Sequence, residues 1–348
     1  MNQNLSTLPS SDPSAVLRYR DRQYAADLIG AALLHFNFFT WLDQQGAATN
    51  ESIIAHFGFA ARPLDVLLTL CRANEFVQTD STNTHTLTAS GREFLCATSP
   101  WYLGPYYQPI KDSPILLGFV KVLNTGKPAN WQAKDDAHDW HKSMLDPVFA
   151  GNFTNLMNCR GMIFGQHLAS ALTSHIAQRH HVLDVAGGSG IYSATLVAAH
   201  PHLTATVLEQ SPVDEICRKE ISAHGLVDKI TVHSADMFAD AWPAADVILL
   251  SNVLHDWDWS EMEFLLEKAT FTLPNGGLLI IHDAFINDAK TGPVPVAEYS
   301  SLLMNITQGK CYSHAEYSSL LQKLGYQIGA YHDTIGDRGY MTAVKLPQ

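Results

Sequence analysis

A chain of 348 residues with 46% hydrophobic and 16% charged residues has room for two domains with cores of their own, and is composed like a folded globular protein. Asp and Glu outnumber Lys and Arg by 34 to 22, a formal net charge of -12 that no local basic run offsets, so nucleic acid and other polyphosphates are not expected as partners. The opening MNQNLSTLPSSDPS has neither a basic start nor an apolar h-region, and the longest apolar run, 28–39, is interrupted by His35 and Asn37, so neither export nor a membrane span is expected.

Residues 1–13 are polar and are expected to be disordered. From Ala15 to Leu42 apolar residues recur at helical spacing (Leu17, Ala25, Leu28, Ala32, Phe36), which predicts a helix burying one face. Thr49–Phe57 and Arg62–Asn74 read as helices. Glu75-Phe-Val-Gln-Thr and Thr84-His-Thr-Leu-Thr read as strands about a polar turn, Asp80-Ser-Thr-Asn. That order is a winged helix, which raises DNA as a ligand. Its second helix, however, offers only Arg62 and Arg72, with Asp65 between them, and Leu64, Leu67, Leu68 and Leu70 need cover, so a packing role is expected. The aromatic stretch WYLGPYYQPIKDSPILLG, 101–118, suits either a pocket lining or interface packing. A helical region follows to about His180.

Beyond it strands alternate with helices: 181–186, 204–209, 230–235, 245–251, 277–283, then Tyr326–His332 and Tyr340–Lys345. Such alternation predicts a mainly parallel, doubly wound sheet of Rossmann-like type with helices on both faces. The last two strands have no room for a crossover helix and are expected to pair antiparallel. The cysteines, Cys71, Cys96, Cys159, Cys217 and Cys311, are scattered without a CxxC pair and read as reduced thiols of a cytoplasmic protein.

The most informative stretch is HVLDVAGGSGIYSATL, 181–196. A short apolar strand ends in Asp184 and a glycine cluster and then turns helical, the form of a nucleotide-cofactor loop. The next strand ends in Glu209, at the spacing where an acid reaches a ribose diol. The third leads to Asp236, where a carboxylate suits an adenine amino group, with Met237 and Phe238 against the ring. No Lys follows the glycines as in a P-loop, and DVAGGSG fits GxGxxG poorly. An adenosine cofactor without phosphates remains, and S-adenosylmethionine is the obvious one.

With SNVLHDWD at 251–258 and LPNGGLLIIHD at 273–283, the motif order resembles the class I S-adenosylmethionine-dependent O-methyltransferases, in the branch of the plant caffeate, acetylserotonin and bacterial small-molecule enzymes. The resemblance spans nearly the whole chain. It implies a winged-helix-like dimerisation domain over 1–100, a helical linker and acceptor-pocket region over 101–180, and a catalytic domain over 181–348. It also implies a homodimer acting on the hydroxyl of a small aromatic or polyketide-like molecule. Cofactor contacts fall on Asp184, Gly187, Gly188, Glu209, Asp236, Met237, Ser251 and Asn252, and acceptor contacts on Phe153, Met157, Met304 and Asn305.

Methyl transfer from a sulfonium needs an aligned oxygen nucleophile and a group to take its proton. Most of the 17 histidines, including His138, His141, His180 and His181, are expected to be surface or satisfied core residues. His255 is singled out because it follows the apolar strand 247–251, at the carboxyl edge where α/β ligands bind, and because it occupies the base position of the LHDWD motif. Asp283 is placed to orient it, while Asp256 either holds the loop or caps a helix. Relatives carry a second orienting Glu in a GlyLysGlu segment, where this chain has Gly309-Lys310-Cys311. No metal is expected. The alternatives are transfer to nitrogen, carbon or sulfur on the same fold, a reaction in which the bound sulfonium transfers nothing, and a cofactor-sensing winged-helix regulator.

Overall fold

The computed structural model describes residues 5–129 and 143–347. His138 and His141 therefore lie outside the described residues, as do residues 1–4. The chain packs as two compact units that are discontinuous in sequence. One comprises Met1–Ala15, Trp140–Phe285 and His314–Gln348; the other comprises Val16–Asp139 and Ile286–Ser313. These bounds differ from a division at 100 and 180, because the segment 286–313 packs with the N-terminal helices.

The predicted 15–42 helix is three helices, Ser14–Asp21, Ala25–Leu34 and Phe38–Gln45. The chain turns at Asn37, whose φ of 50° is left-handed and incompatible with a continuing helix. Helices Asn50–Phe57 and Ala61–Ala73 follow, and then a short antiparallel hairpin of β1 (Val77–Thr79) and β2 (His85–Leu87). Thr49 and Ser52 form a capping box on the first of these helices. The Ala61–Ala73 helix buries Leu64 and Val66–Cys71. The two arginines considered for exposure are instead turned inward. Arg62 donates to the carbonyls of Gly309 and Gly126, and Arg72 to that of Lys290 and to Thr69 and Thr79. Asp65 receives Lys290 and Lys310; burial opposes its ionisation, but the two ammonium groups prevail and hold its carboxyl down at about 2. A helix whose cations are consumed inside its own unit has none to offer a phosphate backbone.

The first unit is built on a seven-stranded sheet in the order β5-β4-β3-β6-β7-β9-β8. The strands are β3 (His181–Val185), β4 (Thr204–Glu209), β5 (Ile230–Ser234), β6 (Val247–Ser251), β7 (Leu278–Asp283), β8 (Tyr326–Asp333) and β9 (Gly339–Lys345). The β5-β4-β3-β6-β7 pairings are parallel, and β9 runs antiparallel to both β7 and β8, as the sequence predicts. β6 and β7 are buried along their whole length, as parallel strands covered on both faces must be. His181 is half-buried and satisfied, bonded to Thr204 and Thr206, and His180 is exposed. Among the described residues no single helix is long and apolar enough to cross a membrane.

The long helix Pro147–Ala171 packs on the helix Ile191–Ala199 that follows the glycine turn. Contact is close because Gly161 and Gly165 face Ile191 and Thr195; a Cβ on Gly165 would sit 2.4 Å from Thr195 Oγ1. Thr195 is fully buried and its hydroxyl is already donated to Ile191 and Tyr192 carbonyls, so it cannot move aside. Gly165→Ala should therefore destabilise the protein by about 1–3 kcal/mol, the range for overpacking a filled core, measured by urea unfolding. An unchanged midpoint would contradict this packing.

Candidate functional site

The strand order reverses between β3 and β6, since β4 and β5 lie to one side and β7 to the other. At such a reversal the loops leave in opposite directions and open a crevice at the carboxyl edge. Two non-glycine residues in left-handed backbone, Ala186 (φ 52°) and Asn252 (φ 54°), follow these two strands. Strained positions of this kind concentrate at functional sites.

Beyond β3, Gly187 is required by space: a Cβ there would lie 2.7 Å from Asp184 Cγ, while Gly188, at φ 59°, faces open space. Asp184 is buried beneath the turn. Its Oδ2 accepts from Ser193, its Oδ1 has no partner, and burial pushes its carboxyl up to about 6. At the end of β4 the Glu209 carboxylate accepts from the Gly188 and Gln210 N–H groups, both at 2.9 Å, which joins two predicted site residues. Desolvation outweighs these bonds and raises Glu209 to about 7. Asp236 is exposed and spends one oxygen on the backbone of Phe238 and Ala239. The Met237 and Phe238 carbonyls are held by Lys268 Nζ, and the Phe238 ring packs edge-on against Trp257, centroids 4.5 Å apart.

His255 sits in a turn of 3-10 helix, Leu254–Asp256, just past β6, and only 3% of its side chain is exposed. Its Nδ1 donates a hydrogen bond to Asp283 Oδ1 at the end of β7. The same oxygen accepts from the Ala284 N–H at 2.7 Å, and Oδ2 is buried without a partner. With Nδ1 carrying the proton, the Nε2 lone pair is the basic one. Asp256 Oδ1 is 3.6 Å from Nε2; burial raises the Asp256 carboxyl to about 6, an effect that His255 and Arg160 oppose and Asp283 reinforces. The helix Trp259–Thr272 is capped by Asp258, so the capping role considered for Asp256 belongs to the acid two residues on.

Phe153 and Met157 lie one turn apart on the Pro147–Ala171 helix, both half-buried, and Asn158 beside them accepts from Ser189 in the glycine turn. Met304 and Asn305 are buried in the other unit, where the Asn305 carbonyl accepts from Ala129. Cys311, also in that unit, donates its backbone N–H to Ser300 Oγ. Ser251 and Asn252 join a polar cluster the sequence did not announce. Ser251 Oγ bonds His282 Nδ1 at 2.8 Å, and the Asn252 amide reaches both Tyr192 and Ser251. His282 is driven down to about 3 by burial, which Asp283 opposes and Arg338 and Arg160 reinforce, and so stays neutral. Among the described residues no group of three or more His, Cys, Asp or Glu could hold a metal ion.

A profile described as an O-methyltransferase domain matches residues 122–327. The chain is 30% identical, over 80% of its own length and 80% of the relative's, to a 3-hydroxy-5-methyl-1-naphthoate 3-O-methyltransferase of Streptomyces sahachiroi. It is 28% identical, over 85% and 82%, to an L-tyrosine C(3)-methyltransferase of Streptomyces lavendulae. In structure it resembles an O-methyltransferase family 2 protein of Planctomyces limnophilus, solved in complex with apigenin, with a TM-score of 0.87 and 27% identity over 99% of both chains.

The raised Glu209 has a measurable consequence. A carboxyl whose folded pKa lies near 7 instead of its ordinary 4.5 stabilises the fold below pH 4.5 and loses that contribution as pH rises to 7. Carboxyl-carbon NMR of the ligand-free protein should show Glu209 titrating near 7. In a urea series Glu209→Gln should lose less stability than the parent between pH 4.5 and 7. A midpoint near 4.5 would show that the carboxylate is solvated.

Proposed function

Because the chain belongs to the S-adenosylmethionine-dependent O-methyltransferase family, we propose that it methylates a hydroxyl of a small aromatic or polyketide-like acceptor, with His255 as general base and Asp283 as its orienting partner. The observation that carries this reading is the buried His255–Asp283 pair at the carboxyl edge, one strand from the glycine turn. The naphthoate-methylating relative and the apigenin-bound neighbour support an aromatic acceptor.

The crevice residues fit the cofactor. Asp184 Oδ1, buried without a partner, matches an ammonium group; Glu209 and Asp236 match a diol and an amine; and Gly188 leaves open space above the turn. We assign Asp184, Gly187, Gly188, Glu209, Asp236, Met237, Ser251 and Asn252 to the cofactor. When bound, S-adenosylmethionine supplies an electrophilic methyl group on sulfur. His255 Nε2 takes the acceptor's proton, while Asp283 fixes the tautomer and balances the imidazolium. Phe153 and Met157 exclude water from the acceptor side. The tyrosine C-methylating relative favours one second reading, transfer to a ring carbon beside a phenol, which needs the same deprotonation. The position of the new methyl in the product's NMR spectrum separates the two.

The helix, helix and hairpin order of residues 50–87 is read as a winged-helix-like dimerisation module of a cytoplasmic enzyme. Val16, Tyr19, Trp101 and Tyr106 are each more than 60% exposed, and apolar surface of that kind on one unit supports burial against a second copy. Light scattering at micromolar concentration should give a dimer that survives high salt and is weakened by Tyr19→Glu. A monomer removes this part of the reading.

His255→Ala should lower turnover by about two to four orders of magnitude, the usual contribution of a general base, with S-adenosylhomocysteine affinity unchanged. Asp283→Asn should cost less, because it disturbs the imidazole without removing it. Turnover of His255→Ala within a few-fold of the parent, in an acceptor screen with labelled cofactor, would show that no base is needed.

A further inference from the structure

The cluster beside the glycine turn contains an arginine whose place is set by sheet register. β9 runs antiparallel to β7 with Gly339 opposite Asp283, so the residue before Gly339, Arg338, emerges at the carboxyl edge next to the end of β7. It is 2% exposed, the largest fully buried side chain described. The turn that carries it is fixed: the Thr334 N–H and hydroxyl both donate to the Arg338 carbonyl, and the Gly336 N–H donates to Ser14 Oγ from the start of the chain. The guanidinium donates through Nη1 to the Gly336 carbonyl and lies 5.3 Å from the centre of the Phe164 ring.

The guanidinium also begins a directed chain of donors. Arg338 Nε donates to Asn252 Oδ1 at 3.3 Å, and Asn252 Nδ2 donates to the Tyr192 hydroxyl at 3.0 Å. That oxygen accepts from the amide and also has the Ser251 hydroxyl as a partner, which favours its ionised form as a donor does, so the phenol proton is the one left for donation to a ligand. Tyr192 is the second residue of the helix that follows the glycine turn, so the chain ends at the crevice. Hydrogen bonds in series polarise one another, and a cation at the head strengthens the last donor. A donor prepared in this way selects an anion. The amino-acid end of S-adenosylmethionine is a zwitterion that needs an acid for its ammonium and a donor for its carboxylate. Asp184, with its unpartnered oxygen, answers the first need.

We propose that the Arg338–Asn252–Tyr192 relay receives the carboxylate of the cofactor's amino-acid end, with Tyr192 as a binding residue beside Asn252 and Arg338 as the positioning residue behind them. The inference rests on the assignment of this crevice to the cofactor.

Titration calorimetry on the full-length protein with three ligands tests it: S-adenosylhomocysteine, its carboxyl methyl ester, and 5′-methylthioadenosine, which lacks the amino-acid end. The parent should bind the free acid at least tenfold more tightly than the ester. Tyr192→Phe, which removes one oxygen, should bring acid and ester within about twofold and leave methylthioadenosine unchanged. Arg338→Met should do the same, Arg338→Lys should recover part of the preference, and the Tyr192→Phe/Arg338→Met pair should lose no more than either alone. A parent that binds acid and ester equally overturns the proposal, as does a Tyr192→Phe variant that loses acid and methylthioadenosine by equal factors or keeps the full preference. These outcomes do not require Arg338→Met to fold. A parent that fails to bind methylthioadenosine at all overturns the cofactor assignment itself, and the relay with it.

Discussion

The pairing of β3 with β6 is the constraint from which the rest of the site follows. Between these two strands the sheet changes direction of growth, so the loops beyond them cannot cover each other and the carboxyl edge stays open. Three loops meet there: the glycine turn after β3, the His255 turn after β6 and the end of β7 with Asp283. None of them is adjacent to the others in sequence. The positive φ angles of Ala186 and Asn252 are local costs of turning the chain away from the sheet so sharply.

The electrostatics of this edge are those of an acidic protein with its acids partly dehydrated. Asp184 and Asp256 at about 6 and Glu209 at about 7 are all raised by burial, and each cost of ionisation can be offset when a ligand brings a donor. Burial, reinforced by Arg338 and Arg160, keeps His282 neutral. Acids at the glycine turn and a guanidinium beside the end of β7 suit a ligand that is itself dipolar.

In the other unit a single carboxylate does the joining. Asp65 holds Lys290 and Lys310, and Arg62 holds the Gly309 carbonyl, so the segment 286–313 is tied to the Ala61–Ala73 helix from its two ends. This accounts for two features that look anomalous in sequence: a winged-helix order without a basic face, and a lysine in Gly309-Lys310-Cys311 that is followed by a thiol. Lys310 is committed to the Asp65 pair and lies 5.0 Å from the centre of the Tyr312 ring, whatever occupies position 311.

The parallel strands, the glycine turn, Glu209 and the antiparallel final pair were legible in the sequence because each depends on a local pattern: an apolar run, a turn that only glycine permits, or a connection too short for a helix. His255 and Asp283 were legible as residues at or just past the ends of two apolar strands, but that these strands lie side by side and bring the two together was decided by the sheet. The break of the 15–42 helix was not legible, because the apolar spacing continues through Phe36 and Phe38 while the helices on either side of Asn37 are bent by 56°. The inward turn of Arg62 and Arg72 was hidden for a different reason: their partners are carbonyls from 126, 290 and 309, and every residue has a carbonyl. Arg338 gave no signal at all. A single arginine in the turn GDRGY reads as solvent-exposed, and only the antiparallel register of β9 on β7 brings it beneath Asn252. Sequence determined which segments become strands and which acids end them, through interactions a few residues long. Tertiary structure alone decided which side chains share the carboxyl edge, because strand order and register set distances that no spacing along the chain encodes.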